Sequence, residues 1–236
     1  MNVEEDPHAP GRAGRLRLED PRAPGRAGRL RLAVLDYGMG NLRSVEKALE
    51  HVGAAAEITR DHARARAADG IVLPGVGAMP KAMTAVRSLG LDDLLRERRD
   101  AGVPIIGVCM GMQLLFQSTT ELGGSEGIGL LEGPVERLEA EGLKIPHIGW
   151  SPVSWRRPSE LTAGLADPCA FYHVHSFAPV PEREADVLGT AVHGHEFASV
   201  VARPPVYGAQ FHPEKSGPDG LALLANFAGL CVGAAA

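Results

Sequence analysis

The chain has little of what would mark it as secreted, membrane-bound or nucleic-acid binding. Only three cysteines, Cys109, Cys169 and Cys231, stand among 236 residues. An odd count in a chain of this length excludes a disulfide-stapled mini-domain, suits a reducing cytoplasm, and leaves room for one catalytic thiol. No apolar stretch approaches the roughly 20 residues of a membrane span. The N-terminus lacks the apolar core of a signal peptide, so the expected location is cytoplasmic, with no membrane partner. Positive charge is not in excess: 24 Lys and Arg against 29 Asp and Glu leave a net charge of −5, which gives no reason to expect nucleic acid as a partner. What is present is ordinary for a globular protein, 44% hydrophobic and 22% charged, and long enough for one large α/β domain with a substantial core.

Residues 1–29 do not read as fold. Residues 9–18 recur identically as residues 23–32, and two Gly/Pro/Arg-rich copies are too few for a solenoid. The expectation is a disordered extension over 1–29 and a single domain over 30–236. From Leu32 the pattern alternates strand and helix. A strand over Leu32–Leu35 meets the Gly-rich turn Asp36-Tyr-Gly-Met-Gly-Asn41 and a helix over Leu42–Val52. Short strands follow at Ala55–Ile58 and Gly70–Leu73, the latter ending in Pro74-Gly-Val-Gly77, then helices over Met79–Ser88 and Leu91–Ala101. This alternation predicts an α/β fold with a mostly parallel, doubly wound sheet and function at the carboxyl ends of its strands. After a glycine-rich loop at 121–129, short segments with turn residues between them predict added antiparallel strands. These are Val135–Leu138, Pro152–Trp155, Ala170–His175, Val187–Val192, Phe197–Ala202 and Val206–Phe211, with a closing helix over Pro218–Leu230.

The chemistry centres on Val103–Phe116. Val103 to Val108 is an unbroken apolar run, as a buried parallel strand requires. It leads into Gly107-Val-Cys109-Met-Gly111 and a helix over Met112–Phe116, a nucleophile elbow with Cys in place of Ser. The helix N-terminus favours the reactive thiolate. A thiol nucleophile needs a base and a group to orient it. His212-Pro-Glu214 supplies both, at the end of a strand, with the carboxylate two residues from the imidazole. The pairs His173-Val-His175 and His193-Gly-His195 resemble metal ligands, but no Cys or Asp completes either at a usual spacing, so no metal is expected. His51, His62 and His147 read as surface or satisfied core residues.

Val108-Cys-Met-Gly-Met-Gln-Leu-Leu-Phe116, Phe211-His-Pro-Glu-Lys-Ser216 and Leu73-Pro-Gly-Val-Gly77 together resemble the class I (triad) glutamine amidotransferases, whose domain is flavodoxin-like. Asp36-Tyr-Gly-Met-Gly-Asn-Leu42, Lys144-Ile-Pro-His-Ile-Gly-Trp150 and Tyr172-His-Val-His-Ser-Phe177 narrow the resemblance to the glutaminase subunits of imidazole glycerol phosphate synthase, in histidine biosynthesis. The resemblance covers about residues 30–232. It implies a hydrolase acting on L-glutamine through Cys109, His212 and Glu214 and a thioester, without cofactor. It also implies oxyanion donors at Met110 and at Val76 or Gly77, beside Gly75, worth about 3–4 kcal/mol each in the transition state. Gln113, Glu121, His175 and Ser176 would hold the α-amino and α-carboxylate ends of glutamine. The partner it implies is a (β/α)8-barrel cyclase subunit, forming a heterodimer, which uses the ammonia to make imidazole glycerol phosphate and aminoimidazole carboxamide ribotide. A barrel takes about 250 residues, so the cyclase is expected as a separate polypeptide, with Asn41 and Lys215 near the interface.

Overall fold

The computed structural model describes residues 29–234. The expected extension lies outside these residues, apart from Arg29, whose Nε donates to the Gly53 carbonyl at 3.1 Å. The first half alternates as the sequence predicts: β1 Arg31–Leu35, α1 Leu42–His51, β2 Ala55–Thr59, α2 His62–Arg66, β3 Gly70–Gly75, α3 Met79–Ser88, α4 Leu91–Asp100, β4 Ile105–Cys109 and α5 Met110–Leu114. Only α2 was not anticipated. It is five residues of His, Ala and Arg with no apolar stripe, started by Asp61, whose side chain accepts from the Ala63 and Arg64 amides. The helix after Cys109 begins at Met110, two residues before the sequence expectation, so the cysteine itself occupies the cap position.

The second half contributes β5 Ser118–Thr119, β6 Ser125–Glu126, β7 Pro134–Arg137, β8 His147–Trp155, β9 Cys169–His175, β10 Phe177–Pro179, β11 Val187–His193, β12 His195–Arg203, β13 Val206–Ala209 and the long helix α6 Gly217–Ala234. Nine strands form one sheet in the order β2-β1-β3-β4-β13-β12-β11-β8-β9. The first five neighbours pair in parallel and the remainder antiparallel. A four-stranded sheet, β10-β7-β5-β6, lies beside it. β4 is buried at every position, and its side chains feed the apolar cores on both faces of the sheet.

Several strand boundaries depart from the sequence expectation, and those of β8 and β13 bear on the site. β8 starts at His147 rather than Pro152 because its alternation is inverted. His147, Ser151 and Val153 face inward while Ile148 and Trp150 face out. Polar residues on the buried side hide a strand from a search for apolar periodicity. β13 stops at Ala209, before Phe211 and His212. The next residues are carried by other strands: the Gln210 amide donates to the Ser199 carbonyl at 2.8 Å, and the His212 amide to the Tyr172 carbonyl at 2.9 Å.

Candidate active site

Three neighbouring parallel strands deliver the site at their carboxyl ends: β3 brings Pro74 and Gly75, β4 brings Cys109, and the exit of β13 brings His212. Gly75 lies opposite Cys109 in the β3–β4 ladder. Cys109 has φ 54° and ψ −113°, a conformation that L-residues avoid and that nucleophile elbows impose. The turn is possible because Gly107 and Gly111 flank it. A Cβ on Gly111 would stand 1.6 Å from the Leu73 carbonyl oxygen, and one on Gly107 2.5 Å from that of Gly111. The elbow thus presses against β3, and Cys109 itself stands at the cap of α5.

His212 is 4% exposed, and its Nδ1 donates to Glu214 Oε1 at 2.9 Å. This bond fixes the tautomer and leaves Nε2 for the thiol. Burial alone would lower the imidazole pKa. The hydrogen bonds and charges of Cys109 and Glu214 outweigh it and raise the value to about 9. His212 is therefore held protonated at neutral pH. Burial, with Asp219 or Asp69 nearby, pushes Cys169 and Cys231 up to about 12, so neither is nucleophilic near neutral pH.

A pocket of about 280 Å³ opens over Cys109. Of the residues expected from sequence, it gathers Val76, Gly77, Met110, Gln113, Glu121, His175, Ser176, His212 and Lys215. Glu121 Oε2 accepts from the Met79 amide at 2.7 Å, so this carboxylate also caps α3. Gly75 lies beneath the thiol rather than on the pocket wall, and Glu214 lies behind His212. Asn41 is not on the wall. It stands at the start of α1, its Oδ1 accepting from Ser44 Oγ at 2.9 Å, while the adjacent Gly40 packs against Pro74 and Gly75.

Sequence reasoning passed over two buried residues at the centre. Tyr37 donates its hydroxyl to the Pro74 carbonyl at 2.8 Å, latching the loop that carries Val76 and Gly77. Burial, and then the nearby Cys109, raise its pKa well above the ordinary tyrosine value, so it remains a donor. Gln210 places Nε2 3.9 Å from Cys109 Sγ. Its only sequence signal was a polar residue ending an apolar strand.

The four histidines at 147, 173, 175 and 193 pack together and reach the pocket through His175. His147 stacks on His193 with ring centroids 4.3 Å apart and on His173 at 5.1 Å. Their ring nitrogens bond to Ser151, Ser199, to each other, and to the carbonyls of Phe171, Phe177 and Lys144. Among the described residues no cluster of three or more His, Cys, Asp or Glu has the arrangement of a metal site. A larger cleft of about 950 Å³ lies between the two sheets, away from the thiol, where Arg156 pairs with Glu196 and Arg157 donates to two carbonyls. Neither cysteine nor serine lines it.

Comparison with known proteins places the family and the fold. The family profile of class-I glutamine amidotransferases matches residues 33–230. The chain is 47% identical over 196 residues to imidazole glycerol phosphate synthase subunit HisH of Moorella thermoacetica, covering 83% of this chain and 93% of that one. It is 45% identical over 200 residues to subunit HisH of Bacillus cereus, covering 84% and 94%. The fold is shared with PurLQS from Thermotoga maritima at TM-score 0.69 and 21% identity, over 85% of this chain and 98% of that one. With a cysteine elbow, a His–Glu pair and this extent of likeness, the chain belongs to the class-I glutamine amidotransferases, within the family of HisH subunits of imidazole glycerol phosphate synthase.

Proposed function

We propose that this chain hydrolyses L-glutamine through a Cys109–His212–Glu214 triad and passes the ammonia to a separate cyclase subunit. The observation that carries the triad is the buried His212–Glu214 bond at 2.9 Å, at the strand end facing the strained Cys109 elbow. In this reading the Cys109 thiolate attacks the side-chain amide carbon of glutamine, and the resulting oxyanion is met by the Met110 amide and by that of Val76 or Gly77. His212 donates its proton to the departing nitrogen, releasing ammonia and leaving a γ-glutamyl thioester. Neutral His212 then takes a proton from water, whose oxygen attacks the thioester. Collapse of the second oxyanion expels the thiolate and frees glutamate. Glu214 holds the imidazole in register throughout. Gln113, Glu121, His175 and Ser176 line the space for the amino-acid end of the substrate.

The docking of a partner is supported by an apolar face on the edge of the large sheet. Ile148 and Trp150 of β8 are 61% and 57% exposed. They lie opposite Val174 and Tyr172 of β9, and Val174 reaches the pocket wall. Single exposed apolar residues need no explanation, but a contiguous patch beside a catalytic pocket does. A barrel cyclase covering it would receive ammonia before water protonates it. The test is Cys109→Ala, assayed with a barrel cyclase subunit. Glutamine-dependent turnover is expected to vanish while turnover with ammonium salts persists; surviving glutamine turnover would overturn the assignment.

A further inference from the structure

Gln210 is completely buried, and no step above uses it. Its Oε1 accepts from Gln113 Nε2 at 3.1 Å, and the same Gln113 nitrogen donates to the Phe177 carbonyl at 2.8 Å. Because Gln113 spends both N–H groups on oxygen acceptors, Gln210 must turn its oxygen toward Gln113 and its NH2 toward the sulfur. The Gln210 backbone is anchored as well, through its amide on Ser199.

The bonds continue away from the thiol. The Phe177 carbonyl also accepts from His175 Nδ1 at 2.9 Å, and His175 Nε2 then accepts from His147 Nδ1 at 3.2 Å. His147 Nε2 is left to accept from Ser151 Oγ at 2.9 Å. Each tautomer is dictated by its neighbour, since a carbonyl can only accept. A continuous chain of hydrogen bonds thus joins Ser151, on the inner side of β8, to the Cys109 sulfur, with the Phe177 carbonyl accepting from both sides. It passes through the pocket wall at residues 175–177.

Cys109 Sγ has two polar neighbours besides His212. As a thiol it donates to the Val174 carbonyl at 3.8 Å and accepts from Gln210. Loss of the proton removes the first bond and turns the second into a charge-assisted one, the stronger class. Gln210 therefore favours the thiolate over the thiol. We propose that Gln210 is a positioning residue: its side-chain N–H holds the Cys109 thiolate aimed into the pocket, and its bond to Gln113 ties the thiolate to the wall that carries the substrate.

The proposal rests on Cys109 being the nucleophile, and the experiment separates the two. Gln210→Glu keeps the acceptor for Gln113 but loses the donor to sulfur; Gln210→Met loses both at similar volume. Alkylation of Cys109 by iodoacetamide is followed from pH 5 to 10 in the folded protein by mass spectrometry, with Cys169 and Cys231 as internal unreactive thiols. Both variants are expected to move the Cys109 profile to higher pH by about one unit, a tenfold loss of rate on its acid side. The kcat for glutamine is expected to fall about tenfold, with KM changed less than about threefold. An unmoved alkylation profile in a folded variant overturns the proposal even if kcat falls, and so does failure of both variants to fold, which would mark Gln210 as a packing residue. A moved profile in a protein that hydrolyses no glutamine upholds the positioning role and overturns the glutaminase reading instead.

Discussion

Cys109 is held at φ 54° by crowding that leaves no room for a side chain at Gly107 or Gly111. A methyl on Gly111 would overlap the backbone of β3, which cannot move without disturbing its pairing with β4. Gly111→Ala is expected to destabilise the protein by about 3 kcal/mol, read as a lower urea midpoint. An unchanged midpoint would show that the elbow is not packed as described. Tyr37 makes a milder test, since Tyr37→Phe removes only the hydroxyl that latches Pro74. With the loop carrying Val76 and Gly77 released, kcat for glutamine is expected to fall about tenfold at near-constant KM. A rise in KM alone would argue instead for a role in binding.

At the scale of elements, the histidine group links β8, β9 and β11, and it makes them sensitive to acid. Burial, first among the causes, lowers His147 to about 4 and His173 and His175 to about 3. In the unfolded chain these groups titrate near 6.5, so below that pH the unfolded state binds more protons than the folded one. Stability then falls as pH drops from 6.5 toward 4, by up to about 1.4 kcal/mol per pH unit for each imidazole. His173→Gln is expected to flatten that slope by one such increment, measured by urea unfolding between pH 7 and 5. An unchanged slope would mean that His173 is already charged in the fold. The outward side of β8 belongs to the same scale. Trp150 is more than half exposed and touches Tyr172 with ring centroids 6.0 Å apart, so Trp150→Glu is expected to change folding stability by less than about 1 kcal/mol. Its expected effect is on association with a cyclase subunit, weakened at least about thirtyfold, as loss of an interfacial tryptophan does. Titration calorimetry would show it, and undiminished affinity would place the partner elsewhere.

For the whole molecule, the large sheet is the frame. Its parallel half brings β3, β4 and β13 side by side, and its antiparallel half swings β8 and β9 back so that Val174 and His175 close the pocket opposite the elbow. The frame begins at Arg31 and the family match at residue 33. A chain starting at Arg29 is therefore expected to fold and hydrolyse glutamine like the full one. A loss of either property, by thermal melting or glutamate release, would assign a role to the first 28 residues. Local pattern alone determined the strand–helix alternation of the first half, the cysteine elbow and the His–Pro–Glu segment. In each of these the chemistry is carried by residues close together in the chain. Tertiary structure decided the rest. The inverted strand β8 reads as polar because its inward partners are other histidines, and Tyr37 and Gln210 gain their roles only where β1, β3, β4 and β13 lie side by side. A hydrogen bond between distant segments leaves no periodicity in the sequence, so only the fold could place those side chains against the thiol.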